Sequence, residues 1–313
     1  IMKKSNTIAN NKSKNSKGTV SDQFKNSLLK FIESSEGFVY PLIIPPVQSI
    51  DEDALFEVYS DLRKIGEQDN LNVLLYSYGG DARTAFHIGR LLQAYSNKKL
   101  QIYPLREAKS AATLIASAAD NMVMSELSEL GPMDPQIKLP SIERRFSPLA
   151  IKHSLELLHG EISNGHDLIV KTLAEKLPDP LSLGEALKSL ETGKDYLRKL
   201  LVSRMFAGDS EKAAAVAEQL VLGYPDHGYC IDFKEAQDIG LVVKEVPDNQ
   251  RDALYDLMYG YKKIWDVFEF AMSRKDDNEN SVSEAMRPLI DLKQVVHEVI
   301  DIQKSKESTS KEK

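Results

Sequence analysis

Two short stretches of the chain carry the residue types that acyl transfer needs. In SYGGDA (77–82), the tandem glycines Gly79 and Gly80 stand between an apolar run and a helical pattern. Glycine has no Cβ, so backbone amides at such a turn can approach a bound group closely. In REAKSAATLIASAAD (106–120), Ser110 precedes an almost unbroken run of small residues. A hydroxyl at a helix start lies beside N–H groups that have no partner within the helix. Side by side, the two turns would supply a nucleophile and donors for a developing oxyanion. Each also has a plainer reading, since Gly-Gly closes many turns and serine caps many helices. The chain has no G-x-S-x-G elbow, no H-E-x-x-H zinc motif and no G-x-x-x-x-G-K-[ST] phosphate loop.

The elements that must position these turns alternate in type. YPLII (40–44) reads as a strand closed by Pro45 and Pro46, and the next stretch has helical spacing at Leu55, Val58, Tyr59 and Leu62. LNVLLYS (71–77) reads as a buried strand leading into Gly79, and ARTAFHIGRLLQAY as a helix. LQIYPL (100–105) and NMVMS (121–125) read as strands on either side of the small-residue helix. This alternation predicts an α/β core. Beyond about residue 140 the pattern becomes helical. Ser182 and Glu185 form a capping-box pattern ahead of one helix, with others expected at 193–207 and 210–221. DFKEAQDIG reads as a helix closed by Gly240, and LVVKEV (241–246) as a strand. Helices at 249–272 and 283–304 are separated by the charged stretch SRKDDNENSVS.

With 313 residues, 42% of them hydrophobic and 28% charged, the chain has the make-up of a globule with room for a substantial core. A net charge of −7 argues against nucleic acid as the main partner. Cys230 is the single cysteine, which excludes an intrachain disulfide and fits a reducing, cytoplasmic setting. No apolar run approaches the ~18 residues of a membrane-spanning helix, so no integral membrane segment is expected. The basic opening (1–27) and the end (305–313) are expected as disordered tails.

YSYGGDARTAFHIGRLL resembles the Gly-Gly segment of the Clp protease proteolytic subunit and of signal-peptide peptidase A. SAATLIASAAD resembles the nucleophile helix of the latter, with Ser110 and Asp120 keeping the interval. AKSAATL together with SELGPMDPQI (128–137) resembles the serine dehydrogenase proteinase family of the Clp/crotonase superfamily. The resemblance spans roughly residues 38 to 246. It implies a Clp/crotonase-like core of repeated ββα units over 28–248, a helical extension over 249–304, self-association and a serine-peptidase site. Carried over, Ser110 is the candidate nucleophile, and Gly79, Gly80 and the amide of Ala111 are the candidate oxyanion hole. Two positions depart from the pattern. Tyr78 stands where the relatives have proline, and Asp134 falls near the position of the Clp histidine base.

The proton acceptor therefore stays open among His227, Lys109 and a lysine of the helical region such as Lys194. Imidazole has a suitable unperturbed pKa, and His227 lies in the loop YPDHGYCID near the core. Lys109 adjoins Ser110, but neighbouring side chains on a helix point apart. His87, His153, His159, His166 and His297 show no metal-ligand spacing, so neither a metal nor a cofactor is expected. The aromatics of 252–270 recur at helical intervals and are expected to form a packing or oligomer face. The sequence thus predicts a serine peptidase acting on peptide or protein through an acyl-enzyme, assembled as a homo-oligomer. The rival reading is a non-catalytic scaffold that keeps the fold; coenzyme A thioester chemistry ranks last for want of a pair of glutamates.

Overall fold

A computed structural model describes residues 19–138, 146–274 and 279–311. Its first half runs α1 (Val20–Glu33), β1 (Phe38–Ile43), α2 (Glu52–Ile65), β2 (Gln68–Ser77), α3 (Ala82–Ala94), β3 (Ser96–Ala108), α4 (Ala111–Ala116), β4 (Asn121–Met124) and β5 (Glu129–Leu130). The second half is helical: α5 (Pro148–Ser163), α6 (Asp167–Ala174), α7 (Pro180–Ser203), α8 (Ser210–Leu222), α9 (Phe233–Asp238), a short strand β6 (Val243–Glu245), α10 (Asp248–Ser273) and α11 (Glu279–Lys311). The strands form one parallel sheet in the order β1-β2-β3-β4-β6, and β5 pairs with the far end of β3. The expected α/β core with added C-terminal helices is what the chain forms.

Strand periodicity builds two cores, one on each face of the sheet. Along β2, Val73 and Leu75 enter one core, while Leu74 and Tyr76 enter the other. Along β3, Leu100 and Ile102 face the first, and Tyr103 and Leu105 the second. Alternate side chains of a strand point to opposite faces, so strands covered on both sides read as continuous apolar runs. The first face is covered by α2, α3, α4, α7 and α8; the second by α1, α10 and α11.

That second layer changes the expected organisation. α1 begins at Val20, inside the segment expected to be a tail, and its Thr19 cap forms a reciprocal capping box with Asp22. Phe24, Leu28 and Phe31 make a helical stripe with no exposed surface. The polar, basic average over 1–27 hid that stripe. At the other end, α11 continues to Lys311 rather than stopping at 304. Part of the expected linker, 275–278, lies outside the described residues, as do 1–18. The helices at 249–304 are structural rather than peripheral. Buried Gln303 of α11 accepts from Val39 N–H at 3.0 Å and donates to its carbonyl at 2.8 Å, occupying the open edge of β1.

A further correction concerns α7. The expected break at Gly193 is absent, and one helix runs from Pro180 to Ser203. Its cap is Asp179, which accepts from Leu181 and Ser182 amides, in place of the expected Ser182. Gly193 stays helical because it serves a close approach: a Cβ there would meet Met133 Sδ at 3.2 Å.

Candidate active site

β2 ends at Ser77 and β3 at Ala108, and the two ends are paired. The turns that follow them, 78–81 and 109–110, therefore emerge together. Lys109 N–H donates to the Ser77 carbonyl at 2.9 Å, locking the turns to each other. A Cβ on Gly79 would lie 2.9 Å from Ser110 Cβ and 3.1 Å from Ala111 N. The tandem-glycine turn thus rests directly on the serine.

Ser110 has φ 53° and ψ −119°, a conformation that side chains other than glycine seldom adopt. Holding it there costs ~1–3 kcal/mol, which such positions retain where the surrounding structure over-determines them. The serine stands at the N-cap of α4, yet its hydroxyl makes no cap hydrogen bond. The capping reading of Ser110 is thereby corrected. Its half-buried hydroxyl has no hydrogen-bond partner among the described residues.

The amides around it divide clearly. Gly79 N–H donates to buried Ser77 Oγ at 3.0 Å, and the Gly79 carbonyl accepts from Ile50 N–H at 2.9 Å. Gly79 therefore has no donor to spare; what it contributes is the absence of a side chain. Gly80 N–H and Ala111 N–H have no acceptor among the described residues. Gly80 itself is wedged against the segment after β1, where a Cβ would meet Ile50 N and O at 2.4 Å.

The proton-acceptor candidates separate in the same way. His227 is half-exposed, and its Nδ1 lies 2.6 Å from Oδ1 of buried Asp134. Lys109 Nζ is held 2.9 Å from Glu129 and donates to the Leu130 carbonyl at 3.2 Å. Glu129 also receives Arg106 at 3.1 Å and Cys230 Sγ at 2.8 Å. Burial opposes the Glu129 charge, but the hydrogen bonds from Cys230, Lys109 and Arg106 bring its pKa down to about 2. Lys109 Nζ is thus committed to the Glu129 carboxylate and the Leu130 carbonyl. Lys194 pairs with Glu191 on its own helix at 2.7 Å.

Residues that the motifs did not assign hold the frame. The buried Thr113 hydroxyl lies 2.8 Å from the Ala108 carbonyl and 2.7 Å from that of Gly131, and accepts from Gly131 N–H at 3.2 Å. Leu130 and Ile231 exchange both backbone hydrogen bonds, at 2.9 and 3.1 Å, joining the SELGPMD stretch to the His227 loop. Tyr78 is 49% exposed, with its ring tilted against Tyr76. His87, His153 and His159 are exposed, His166 pairs with Glu161, and His297 lies 3.8 Å from both Glu57 and Asp61. Among the described residues, no group of three or more His, Cys, Asp or Glu comes together as metal ligands would.

The profile of the ClpP-like SDH-type serine proteinases matches residues 3–267. Two proteins of Methanocaldococcus jannaschii, the uncharacterized proteins MJ0137 and MJ1495, are each 26% identical to the chain. The first match covers 70% of this chain and 68% of the relative, the second 75% and 71%. Among solved structures, a variant of the 1510-N membrane-bound stomatin-specific protease aligns with TM-score 0.43 and 16% identity, over 71% of this chain and 85% of that one. A variant of ClpP1 from Listeria monocytogenes aligns with TM-score 0.36 and 13% identity, over 72% and 98%.

Proposed function

From the premise that this chain belongs to the ClpP-like SDH-type serine proteinases, we propose that it is an active serine endopeptidase with Ser110 as its nucleophile. One observation carries the reading. An uncommitted serine hydroxyl, on a strained backbone at a helix start, is packed against the Gly79 turn, and the next amides of the two turns, those of Gly80 and Ala111, have no acceptor among the described residues. Such an arrangement suits acyl transfer, and a merely structural serine has no need of it.

In the first step Ser110 Oγ bonds to the substrate carbonyl carbon while its proton passes to His227 Nε2. The carbonyl π pair moves onto oxygen, where the Gly80 and Ala111 amides hold it. As the intermediate collapses, Nε2–H protonates the departing amine and the C–N bond breaks. Water then repeats the sequence on the acyl-enzyme, releasing the acid and restoring the serine.

Self-association belongs to the same reading. Leu157, Ile162, Leu168, Ile169 and Leu181 on α5, α6 and the start of α7 are 48–82% exposed, large apolar side chains that a second copy would cover. Among the described residues no helix is long and apolar enough to cross a membrane. Acidic residues outnumber lysines along 148–181, which disfavours anionic lipid and leaves a second copy as the fitting occupant. Free, exposed Cys230 suits a reducing compartment such as the cytoplasm.

The test is covalent labelling with a fluorophosphonate. Wild-type protein is expected to label at Ser110 and Ser110→Ala not at all, with the same melting temperature. Folded, assembled wild-type protein that never labels would leave the scaffold reading standing instead.

A further inference from the structure

We infer that Glu107, with the phenol rings of Tyr76 and Tyr78 beside it, is the specificity determinant of the site and selects a lysine or arginine side chain at the scissile bond. The inference rests on the reading of Ser110 as nucleophile.

The cluster sits where both site turns begin. A Cβ on Gly79 would lie 2.9 Å from Ser110 Cβ, and Tyr78 immediately precedes that glycine. Tyr78 Cα is therefore within ~9 Å of Ser110 Cβ. Glu107 stands three residues before Ser110, a reach of at most ~11 Å even when fully extended. Tyr76 and Tyr261 are buried with ring centroids 4.3 Å apart, and half-exposed Tyr78 tilts against Tyr76 at 5.9 Å. The Tyr76 hydroxyl donates to Glu107 Oε2 at 3.2 Å. Partial burial and the nearby Glu107 charge push the Tyr78 phenol above its ordinary pKa, which keeps a neutral ring beside the carboxylate.

What the cluster lacks is a cation. Arg106 and Lys109, the basic residues on either side of Glu107 in the chain, both go to Glu129, at 3.1 and 2.9 Å. Glu129 thus has two such partners, while Glu107 pairs with no lysine, arginine or histidine among the described residues. A partly buried carboxylate without a counter-charge costs the free protein stability, and a cationic ligand removes that cost. The exposed Tyr78 ring adds a face that attracts an ammonium or a guanidinium. An acidic side chain would be repelled there, and an aliphatic one would leave the carboxylate covered and unpaired. The net charge of −7 draws basic segments in the same sense.

Peptidyl diphenyl phosphonates that differ only in the side chain next to phosphorus (lysine, norleucine or glutamate) give the test. Wild-type protein should label ~10–100-fold faster with the lysine probe than with the norleucine probe, and slowest with glutamate. Glu107→Gln should bring the lysine-to-norleucine ratio down to about 1, since only the charge is removed. The ratio is read within each protein, so a smaller folded fraction cancels. If Glu107→Gln fails to fold, Tyr78→Leu on the half-exposed ring decides, with an expected ~2–5-fold fall in the ratio. A wild-type ratio near or below one, no labelling by the lysine probe where the fluorophosphonate labels Ser110, or an unchanged ratio in either folded variant overturns the inference while the nucleophile reading stands. Wild-type protein that neither reagent class labels removes the underlying reading itself.

Discussion

Replacing Gly79 by alanine tests whether the tandem-glycine turn positions the nucleophile. Gly79 has φ +106°, where a Cβ adds ~1–2 kcal/mol of conformational cost. The added carbon would also lie 2.9 Å from the Lys109 carbonyl oxygen and from Ser110 Cβ, both parts of the nucleophile turn. That is roughly half an ångström short of ordinary contact, an overpacking worth ~1–3 kcal/mol. The total, ~2–5 kcal/mol, is within what a folded domain can lose. The turn must yield by a similar half ångström. Since misplacement by ~1 Å can cost ~10²-fold in rate, labelling should slow about tenfold or more. Gly66 supplies the control, because at φ +75° it has nothing within 4 Å of an added Cβ. Gly66→Ala should therefore lower stability by the conformational ~1–2 kcal/mol and leave labelling unchanged. Thermal melts and fluorophosphonate rates on both variants give the comparison. Should Gly79→Ala label at the wild-type rate, or Gly66→Ala lose as much labelling, the turn-to-serine contact does not set the site.

Three further outcomes follow from the frame around the site. Thr113→Val keeps the volume but leaves Gly131 N–H, and whichever of the Ala108 and Gly131 carbonyls takes the single hydroxyl proton, short of a partner, so it should cost ~2–4 kcal/mol in denaturant unfolding; a loss below about 0.5 kcal/mol would show that the pin carries no weight. Gln303→Ala uncovers both backbone groups of Val39 at the sheet edge and should cost ~2–4 kcal/mol, with faster hydrogen exchange at the Val39 amide. Equal exchange in the two proteins would mean that α11 does not guard that edge. Glu129, depressed from 4.5 to about 2, stabilises the fold fully above its unfolded pKa and loses that contribution as pH falls through about 2. Glu129→Gln should therefore be less stable by ~1–3 kcal/mol at pH 7, with the gap closing between pH 4.5 and 2. A gap constant with pH would mean that ionisation of Glu129 is not its source.

Local rules made some of this molecule readable in sequence and long-range pairing concealed the rest. The strand at 71–77 and the helix after Gly80 follow from periodicity and from a glycine turn, both local signals. The site turns were legible chiefly through the family resemblance, since a Gly-Gly pair closes many turns and a serine caps many helices. Hydrogen-bond saturation was not legible. Gly79 and Gly80 are identical in sequence, yet Ser77 takes the amide of one and leaves that of the other. Nor was α1, whose apolar stripe finds its partner in α10, more than two hundred residues away. Asp134 looked like a missing histidine because a residue was compared with a position; its bond to His227 spans 93 residues and no motif records it.

The poverty of large side chains after Ser110 follows from the strain at Ser110. A backbone at φ 53° persists only if its neighbours cannot relax. Three bonds enforce this: Lys109 N–H to Ser77, Ala112 N–H to Lys109 and Thr113 N–H to Ser110, each 2.9 Å. They require α4 to lie hard against the strand ends, and all six of its residues are buried. Just beyond, Ala118 faces Gly89 of α3, where a Cβ on the glycine would come within 3.3 Å of the alanine's. A leucine at Ala112 or Ala118 would add apolar area that other elements could supply. It would also push α4 away from β2 and β3 and release the serine to an ordinary conformation. On the proposed reading, the chain forgoes packing area at this helix because closeness there, more than area, would keep the hydroxyl and the two amides in register.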